Sequence, residues 1–269
     1  MLPQAAMRAT DARMQAGEGS EFIEMLGCVN VMVEPCARKV PRRVDTHAVR
    51  ARVTLSHFGA FLGNQRLMTP FDLSFVPGAA GLGAFWSPII ERLPEGWTKR
   101  TFDLPGLGPV PSSPDVQSYD DLARYVARSI PAPTVLVGQS MGCYVSLKLA
   151  LARPDLVQRL VLVVAAGGVD MKRHGAHDWR PSDREENPAR AEWVRAPTED
   201  LTAELHRIAV PVLLVWATRD AISPLGVAHE LAARLPRARL VTFDTDDHWV
   251  ARRFSDETAT AIREWVLAL

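Results

Sequence analysis

One pentapeptide places a serine between two glycines at the spacing of a catalytic nucleophile. Residues 138–142 read Gly-Gln-Ser-Met-Gly, with Ser140 at the centre. An apolar, β-branched run precedes the motif and an apolar pattern with helical spacing follows it, so the serine lies at a turn from strand to helix. Such a turn strains the serine backbone, and glycines at either end leave room because they lack a Cβ. The chemistry predicted for Ser140 is nucleophilic attack on a carbonyl carbon.

A serine hydroxyl is a poor nucleophile at neutral pH and needs a base within hydrogen-bonding reach, which is usually a histidine oriented by a carboxylate. Asp220 follows an apolar run over residues 212–217, and His248 follows the last predicted strand. Both would lie at the carboxyl ends of parallel strands, at the edge of the sheet where Ser140 is expected. We therefore predict a triad of Ser140, Asp220 and His248, in that order along the chain.

Other residues compete for the roles of acid and base. Asp244, Asp246 and Asp247 are alternative acids. In the usual arrangement the acid and the base come from different loops, and Asp246 and Asp247 are too close in sequence to His248 for that. A metal site at residues 174–178, which read His-Gly-Ala-His-Asp, lacks any further ligand pattern, so no metal is predicted. The remaining histidines are expected to be solvated or satisfied in the core, and they are His47, His57, His174, His177, His206 and His229.

Acyl transfer also needs hydrogen-bond donors for the tetrahedral oxyanion. One expected donor is the backbone N–H of Met141, the residue after the nucleophile. The second should come from the loop after the first strand, residues 76–81, where glycines let the backbone approach a ligand. Ala79 is the best candidate in that loop. The alternative is a glycine-rich turn without a chemical role.

From Met68 onward, segments typical of strands alternate with segments typical of helices. Strands are predicted over residues 71–76, 97–102, 134–137, 160–164, 210–216 and 240–243. Helices are predicted over residues 85–93, 116–127 with Ser118 as a candidate N-cap, 141–152, 225–235 and 255–267. This alternation favours a mostly parallel central sheet with helices on both faces.

Two segments depart from this rhythm. Residues 1–67 show no lasting period beyond a short alternation at 49–55, and they form either an edge hairpin or a poorly ordered extension, with Met68 as the native start. We favour the second interpretation. Residues 167–205 are predicted to form a cap of one or two helices inserted in the α/β domain at 68–269, because two tryptophans in a polar segment need an apolar surface to cover. The alternative is a plain surface excursion.

Charge within the cap and over the whole chain bears on partners. Five cap arginines could recognise an anionic carrier or acid, and they are Arg173, Arg180, Arg184, Arg190 and Arg195. Acidic residues are interleaved with them, which favours a solvated surface of mixed charge. The 269-residue chain has a formal net charge of zero, so its overall charge does not attract nucleic acid.

No apolar stretch is long enough for a membrane span, no secretory signal is visible, and three cysteines show no metal spacing, so a cytoplasmic location is expected. The oligomeric state is not readable from the sequence.

Four motifs in order make the chain resemble the α/β-hydrolase superfamily, and in particular its serine carboxylesterases. Besides the serine turn, they are the oxyanion-type loop at 76–79, the Asp-Leu-Pro-Gly-Leu-Gly turn at 103–108, the helix-to-strand passage at 150–162 and the strand at 211–216 with Asp220. The resemblance implies an eight-stranded, mostly parallel sheet and a Ser140–His248–Asp220 triad. Two positions differ, since Pro77 stands where the family commonly has His and Asp247 where it often has Gly.

The function expected from these residues is hydrolysis of a small carboxylic ester through an acyl-enzyme, without a cofactor. A dehalogenase is disfavoured, because its relatives have a carboxylate nucleophile where this chain has Ser140. Three alternatives stay open: hydrolysis of a C–C bond in a diketone, a thioesterase, and a small-molecule receptor without catalysis on a hydrolase scaffold.

Overall fold

A six-stranded sheet organises the part of the chain that the computed structural model describes, residues 70–268. Its strands are β1 (Asp72–Val76), β2 (Thr98–Thr101), β3 (Thr134–Gln139), β4 (Val157–Val163), β5 (Val212–Ala217) and β6 (Ala238–Phe243). Their order is β2-β1-β3-β4-β5-β6, and every neighbouring pair is parallel. Every residue of β3 and β5 is buried, as expected for central strands covered on both faces.

Helices cover this sheet in separate packing groups. They are α1 (Ser87–Ile90), α2 (Tyr119–Arg128), α3 (Met141–Ala152), α4 (Arg180–Glu186), α5 (Leu225–Arg234), α6 (Val250–Arg253) and α7 (Ser255–Ala268). The helix α3 packs on β3 and α2, whereas α7 packs on α1 and β5. Ser118 is the N-cap of α2, and its Oγ accepts a hydrogen bond from the Asp121 N–H at 3.1 Å.

The register brings the carboxyl ends of the strands to one edge. Val76 at the end of β1 is paired with Gly138 in β3, and Gln139 is paired with Val163 at the end of β4. On the other side, Ala217 is paired with Phe243, and both residues end their strands. The loops that follow these strands therefore leave the sheet at the same edge, where an open α/β sheet holds its ligands.

The predicted alternation of strands and helices is confirmed, with two differences. The described residues contain six parallel strands rather than the eight that the family resemblance implied. The predicted helix over 85–93 is shorter, because a 3-10 turn at Gly83–Trp86 precedes α1 and Pro88, which lacks an N–H, stands near the start of α1. The proposed strand at 49–55, and the question of order in residues 1–67, lie outside the described residues.

Residues 167–205, which we name the cap segment, connect β4 to β5 with little regular structure. The segment contains α4 and two 3-10 turns, Lys172–His174 and Glu192–Arg195. Trp179 and Trp193 are partly buried against the hydrophobic core. Both side chains therefore lie against the core of the domain rather than in solvent.

Candidate active site

The turn after β3 holds Ser140 in an unusual backbone conformation. Ser140 has φ 52° and ψ −119°, a region that residues with a Cβ rarely adopt. A Cβ on Gly142 would lie 2.4 Å from the Val76 carbonyl oxygen, and one on Gly138 would lie 2.7 Å from the Gly142 carbonyl oxygen. Both glycines are therefore required by close approach of the backbone, as the motif predicted.

The strained turn points the Ser140 hydroxyl at a histidine. His248 Nε2 lies 3.0 Å from Ser140 Oγ, and His248 Nδ1 lies 2.6 Å from Asp220 Oδ2. The structure thus brings together three residues that are 108 and 28 positions apart along the chain. In this arrangement Asp220 accepts a hydrogen bond from the Nδ1–H, which leaves Nε2 free to accept the serine proton.

A small network holds the Asp220 carboxylate in place. Its Oδ1 accepts hydrogen bonds from the backbone N–H groups of Ile222 at 2.8 Å and Ser223 at 3.0 Å. The Ser223 hydroxyl donates in turn to the Ala165 carbonyl at 2.6 Å, next to the end of β4. Asp220 is only 3% exposed, so these donors replace the water that burial removes and fix the carboxylate for the histidine.

Two of the three alternative acids, Asp244 and Asp247, have other partners. Asp244 Oδ1 accepts a hydrogen bond from the Thr218 hydroxyl and forms an ion pair with Arg219. Asp247 Oδ1 accepts from the Trp249 N–H at 2.8 Å, so it caps the turn after His248. This local role gives a structural reason for an aspartate at the position where the resemblance led us to expect glycine.

A cavity of about 590 Å³ opens onto Ser140 and His248. Its floor includes Ala79 and Met141, the two residues predicted to donate to an oxyanion, and residues of the cap segment form much of its wall. Residues 70–268 contain no group of three or more histidine, cysteine, aspartate or glutamate side chains that could hold a metal ion. Within the same range, no helix has the length and apolar character required to cross a bilayer.

Two further titratable groups near the site are held neutral by burial. Burial raises the pKa of Tyr119 to about 12, although nearby Arg180 opposes the shift, and the Tyr119 hydroxyl donates to the Val194 carbonyl of the cap segment. Burial also raises the pKa of the Cys143 thiol, which lies in the first turn of α3 and donates to the Gly138 carbonyl at 3.1 Å. Cys143 therefore remains a protonated packing group and does not compete with Ser140 as a nucleophile.

Sequence reasoning missed several residues that shape the site. Gln139 and Trp249 flank the predicted nucleophile and base in sequence, and both line the cavity. Their position next to Ser140 and His248 in the sequence could have identified them as residues near the site. Ser223, which supports Asp220, carried no signal, because its contact with Ala165 joins residues 58 positions apart.

Comparisons with known proteins identify the family of the chain. The profile of the Alpha/beta hydrolase family matches residues 75–204, and that of a TAP-like protein family matches residues 182–267. The chain belongs to the α/β-hydrolase superfamily. Membership confirms the predicted fold and the prediction that the chain is an enzyme, an esterase-like hydrolase.

The chain is similar to named relatives and to a solved structure. A pimeloyl-[acyl-carrier protein] methyl ester esterase of Nitrosomonas europaea is 29% identical over 66% of this chain and 88% of its own length. An enzyme of the same name from Aliivibrio salmonicida is 23% identical over 72% of this chain and 92% of its own. A thermophilic esterase from Thermogutta terrifontis superposes with a TM-score of 0.59 at 21% identity, covering 73% of this chain and 89% of that one. The last likeness supports the fold alone.

Proposed function

We propose that this α/β-hydrolase cleaves a small carboxylic ester, with Ser140 as nucleophile, His248 as general base and Asp220 as the group that orients His248. The observation that carries the proposal is the unbroken chain of hydrogen bonds from Ser140 Oγ through the His248 ring to Asp220 Oδ2, at 3.0 and 2.6 Å. A serine in an ordinary turn would need neither the strained backbone nor this alignment.

The proposed reaction has two steps. Ser140 Oγ attacks the ester carbonyl while His248 Nε2 takes its proton, and the tetrahedral intermediate collapses as the His248 imidazolium protonates the leaving alcohol. An acyl-enzyme remains. Water, deprotonated by His248, then attacks the acyl carbon, and Ser140 regains its proton as the carboxylic acid leaves.

We assign the oxyanion donors to the backbone N–H groups of Ala79 and Met141. Met141 is the first residue of α3, so its N–H has no acceptor within the helix and lies at the positive end of the helix dipole. Ala79 follows β1 in the loop that borders Ser140, and both residues line the cavity. These positions support the assignment, because donors beside the serine would stabilise the negative charge that develops on the carbonyl oxygen.

Several features favour a small ester as the substrate. The relatives above are named as esterases of a methyl ester whose acyl group is borne by an acyl-carrier protein, so they support ester cleavage rather than the size of the substrate. The cavity volume of about 590 Å³ suits a small molecule. Each of the five cap arginines forms an ion pair with an acidic side chain, which leaves little free positive charge for an anionic carrier. The acidic partners are Glu230, Asp178, Glu192 and Asp183, the last of which pairs with two arginines. We therefore propose that the cap segment closes the cavity over a neutral ester.

Labelling with a fluorophosphonate probe tests the activated serine. We expect label on the wild-type protein, no label on Ser140→Ala, and a sharp fall in labelling rate for His248→Ala. Absence of label on folded wild-type protein would overturn the mechanism and favour a receptor without catalysis. A panel of p-nitrophenyl esters of increasing acyl length then tests the substrate class. Labelling without turnover of any ester would overturn the ester assignment and point to a thioester or a diketone.

A further inference from the structure

Beside the nucleophile lies a buried polar side chain that the proposed reaction does not use. Gln139 is 5% exposed and lines the cavity. Its carboxamide, which supplies both donors and an acceptor, has no hydrogen-bond partner within residues 70–268, and it is not among the enclosed polar atoms of that range, so it is open to the cavity. Polar groups in such a wall are paired with water or with a bound molecule. The Gln139 amide is therefore available to a group that enters the cavity.

The position of the amide indicates which part of a substrate it would meet. A Cβ on Gly78 would lie 2.2 Å from Gln139 Oε1 and 3.2 Å from Ser140 Cβ, so the carboxamide packs on the loop that carries Ala79. In the proposed reaction this loop receives the acyl carbonyl oxygen, while the leaving oxygen must approach His248 Nε2 for protonation. The carboxamide therefore borders the acyl side of the scissile bond.

We propose that Gln139 donates a hydrogen bond from its amide to an oxygen of the acyl group close to the ester carbonyl, and so selects alkoxy-, hydroxy- or keto-acyl esters over plain alkyl ones. This inference rests on the proposed function and adds the substrate class. Cys143 and Tyr119, two polar side chains near the turn, already donate to backbone carbonyls, so neither competes for this role.

The glycine beneath the amide supports a substrate-binding role. A Cβ at residue 78 would displace the end of the Gln139 side chain from its present position, so glycine leaves the amide its place against the oxyanion loop. An apolar side chain at residue 139 would fill the same space without the unsatisfied donor. Retaining an amide there is useful when a ligand oxygen completes its hydrogen bonding.

A matched pair of esters tests the proposal. 4-Nitrophenyl methoxyacetate and 4-nitrophenyl butyrate have acyl groups of the same length and differ by an oxygen in place of a methylene. With each rate divided by that of alkaline hydrolysis, we expect wild-type kcat/KM to favour methoxyacetate by about fivefold, the effect of one net hydrogen bond. A normalised ratio near one for the wild type would overturn the proposal without any variant.

The near-isosteric variant Gln139→Met removes the hydrogen bond and keeps the volume. We expect its methoxyacetate-to-butyrate ratio to fall to about one, a loss of about fivefold. Gln139→Leu provides a second apolar variant should the first fail to fold. If both esters slow equally in these variants, Gln139 acts on the oxyanion loop by packing, and the inference is wrong.

Gln158→Met is the matched control, since Gln158 is exposed near the amino end of β4, at the edge away from Ser140. We expect its ratio to equal that of the wild type. Fluorophosphonate labelling of every variant separates the two hypotheses. Normal labelling with an unchanged ratio sinks the role of Gln139 alone, whereas absence of label from the wild type sinks the proposed function itself.

Discussion

The turn around Ser140 and the cap segment face the same cavity but are held by different forces. The turn is set into a sheet whose central strands are entirely buried, and backbone atoms of Val76 and Pro77 approach Gly142 too closely for a side chain. The cap segment has little regular structure, and its centre is a charged cluster. There Arg195 is paired with Asp183 at 2.9 Å and donates to the Asn187 carbonyl at 2.6 Å.

This difference suggests that the sheet fixes the position of the Ser140 side chain, whereas the cap segment is the more adaptable wall of the cavity. Close packing in the sheet has few alternative arrangements, so it can hold a strained serine within hydrogen-bonding distance of a histidine. A buried ion cluster is directional but gains little net stability, because desolvation of the charges offsets their attraction. We therefore expect changes in the turn to act on chemistry and global stability, and changes in the cap segment to act on local order.

The largest expected effect comes from Asp220→Asn. The amide cannot orient His248 as the carboxylate does, so kcat for p-nitrophenyl esters should fall by about 10³–10⁴-fold while KM changes little. Stopped assays with a matched unfolding curve would measure this. A loss below about tenfold with retained folding would show that another carboxylate serves His248, and Asp244→Asn would then be the variant to compare.

The next largest effect should come from Gly142→Ala. Its new Cβ would lie 2.4 and 2.5 Å from two backbone oxygens, so the turn must shift. Even with the better helix propensity of alanine, we expect a loss of about 2 kcal/mol in the free energy of unfolding, measured in urea. Gly96→Ala is the control, since a Cβ there meets nothing within 4 Å. Equal losses in both variants would contradict the packing argument.

Arg195→Met tests whether the cap segment can be loosened without loosening the sheet. It leaves the buried carboxylate of Asp183 with Arg190 as its remaining ion-pair partner and removes the donor to the Asn187 carbonyl. We expect a loss of about 2 kcal/mol, less than an isolated buried charge would cost, because Arg190 remains. Hydrogen exchange should show faster opening of residues 180–195 while β3 keeps its protection.

The matched change Arg184→Met removes an exposed arginine that pairs with Glu192. Exposed pairs are screened by water, so we expect no measurable change in exchange or unfolding. If Arg195→Met also accelerated exchange in β3, the cap segment and the sheet would be one cooperative unit, and the proposed division between them would fail.

The smallest effect concerns a tether between the cap segment and α5. Glu230 of α5 accepts hydrogen bonds from Arg173 and from His174 Nε2, the latter at 2.6 Å, and these bonds lower the pKa of the Glu230 carboxyl. The Glu230 pKa is lower in the folded state than in the unfolded state. The tether therefore stabilises the folded cap segment at a pH above the unfolded pKa of about 4.3, and this stabilisation is lost as the pH falls through the folded pKa.

We therefore expect the protection factors at residues 172–174, which correct for the intrinsic exchange rate at each pH, to fall on acidification below about pH 4. Glu230→Gln should remove this pH dependence and raise the exchange rate at neutral pH. Asp256→Asn is a suitable control, because Asp256 pairs with Arg92 far along the chain from the cap segment. An unchanged pH profile in Glu230→Gln would show that the tether does not hold the cap segment.

Local patterns predicted the alternation of strands and helices and the place of Ser140. The predicted strand at 210–216 and helix at 141–152 agree closely with β5 and α3, because period and burial are properties of short segments. Residues 85–93 show the limit, since this segment has a helical pattern throughout but forms a 3-10 turn followed by a helix of four residues that begins beside Pro88. The prediction that Asp220 would approach His248 depended on chain order at the ends of parallel strands, and the structure joins them at 2.6 Å.

The sequence by itself determined the nucleophile turn, the fold family and the edge of the sheet where chemistry is expected, since glycine spacing and hydrophobic period constrain the backbone locally. Only the tertiary structure decided how the cap arginines pair, how much space lies above Ser140, and that the Gln139 amide has no partner in residues 70–268. Each depends on side chains distant in sequence meeting across the cavity, and a pairing such as Lys148 with Glu199, 51 residues apart, leaves no periodic trace.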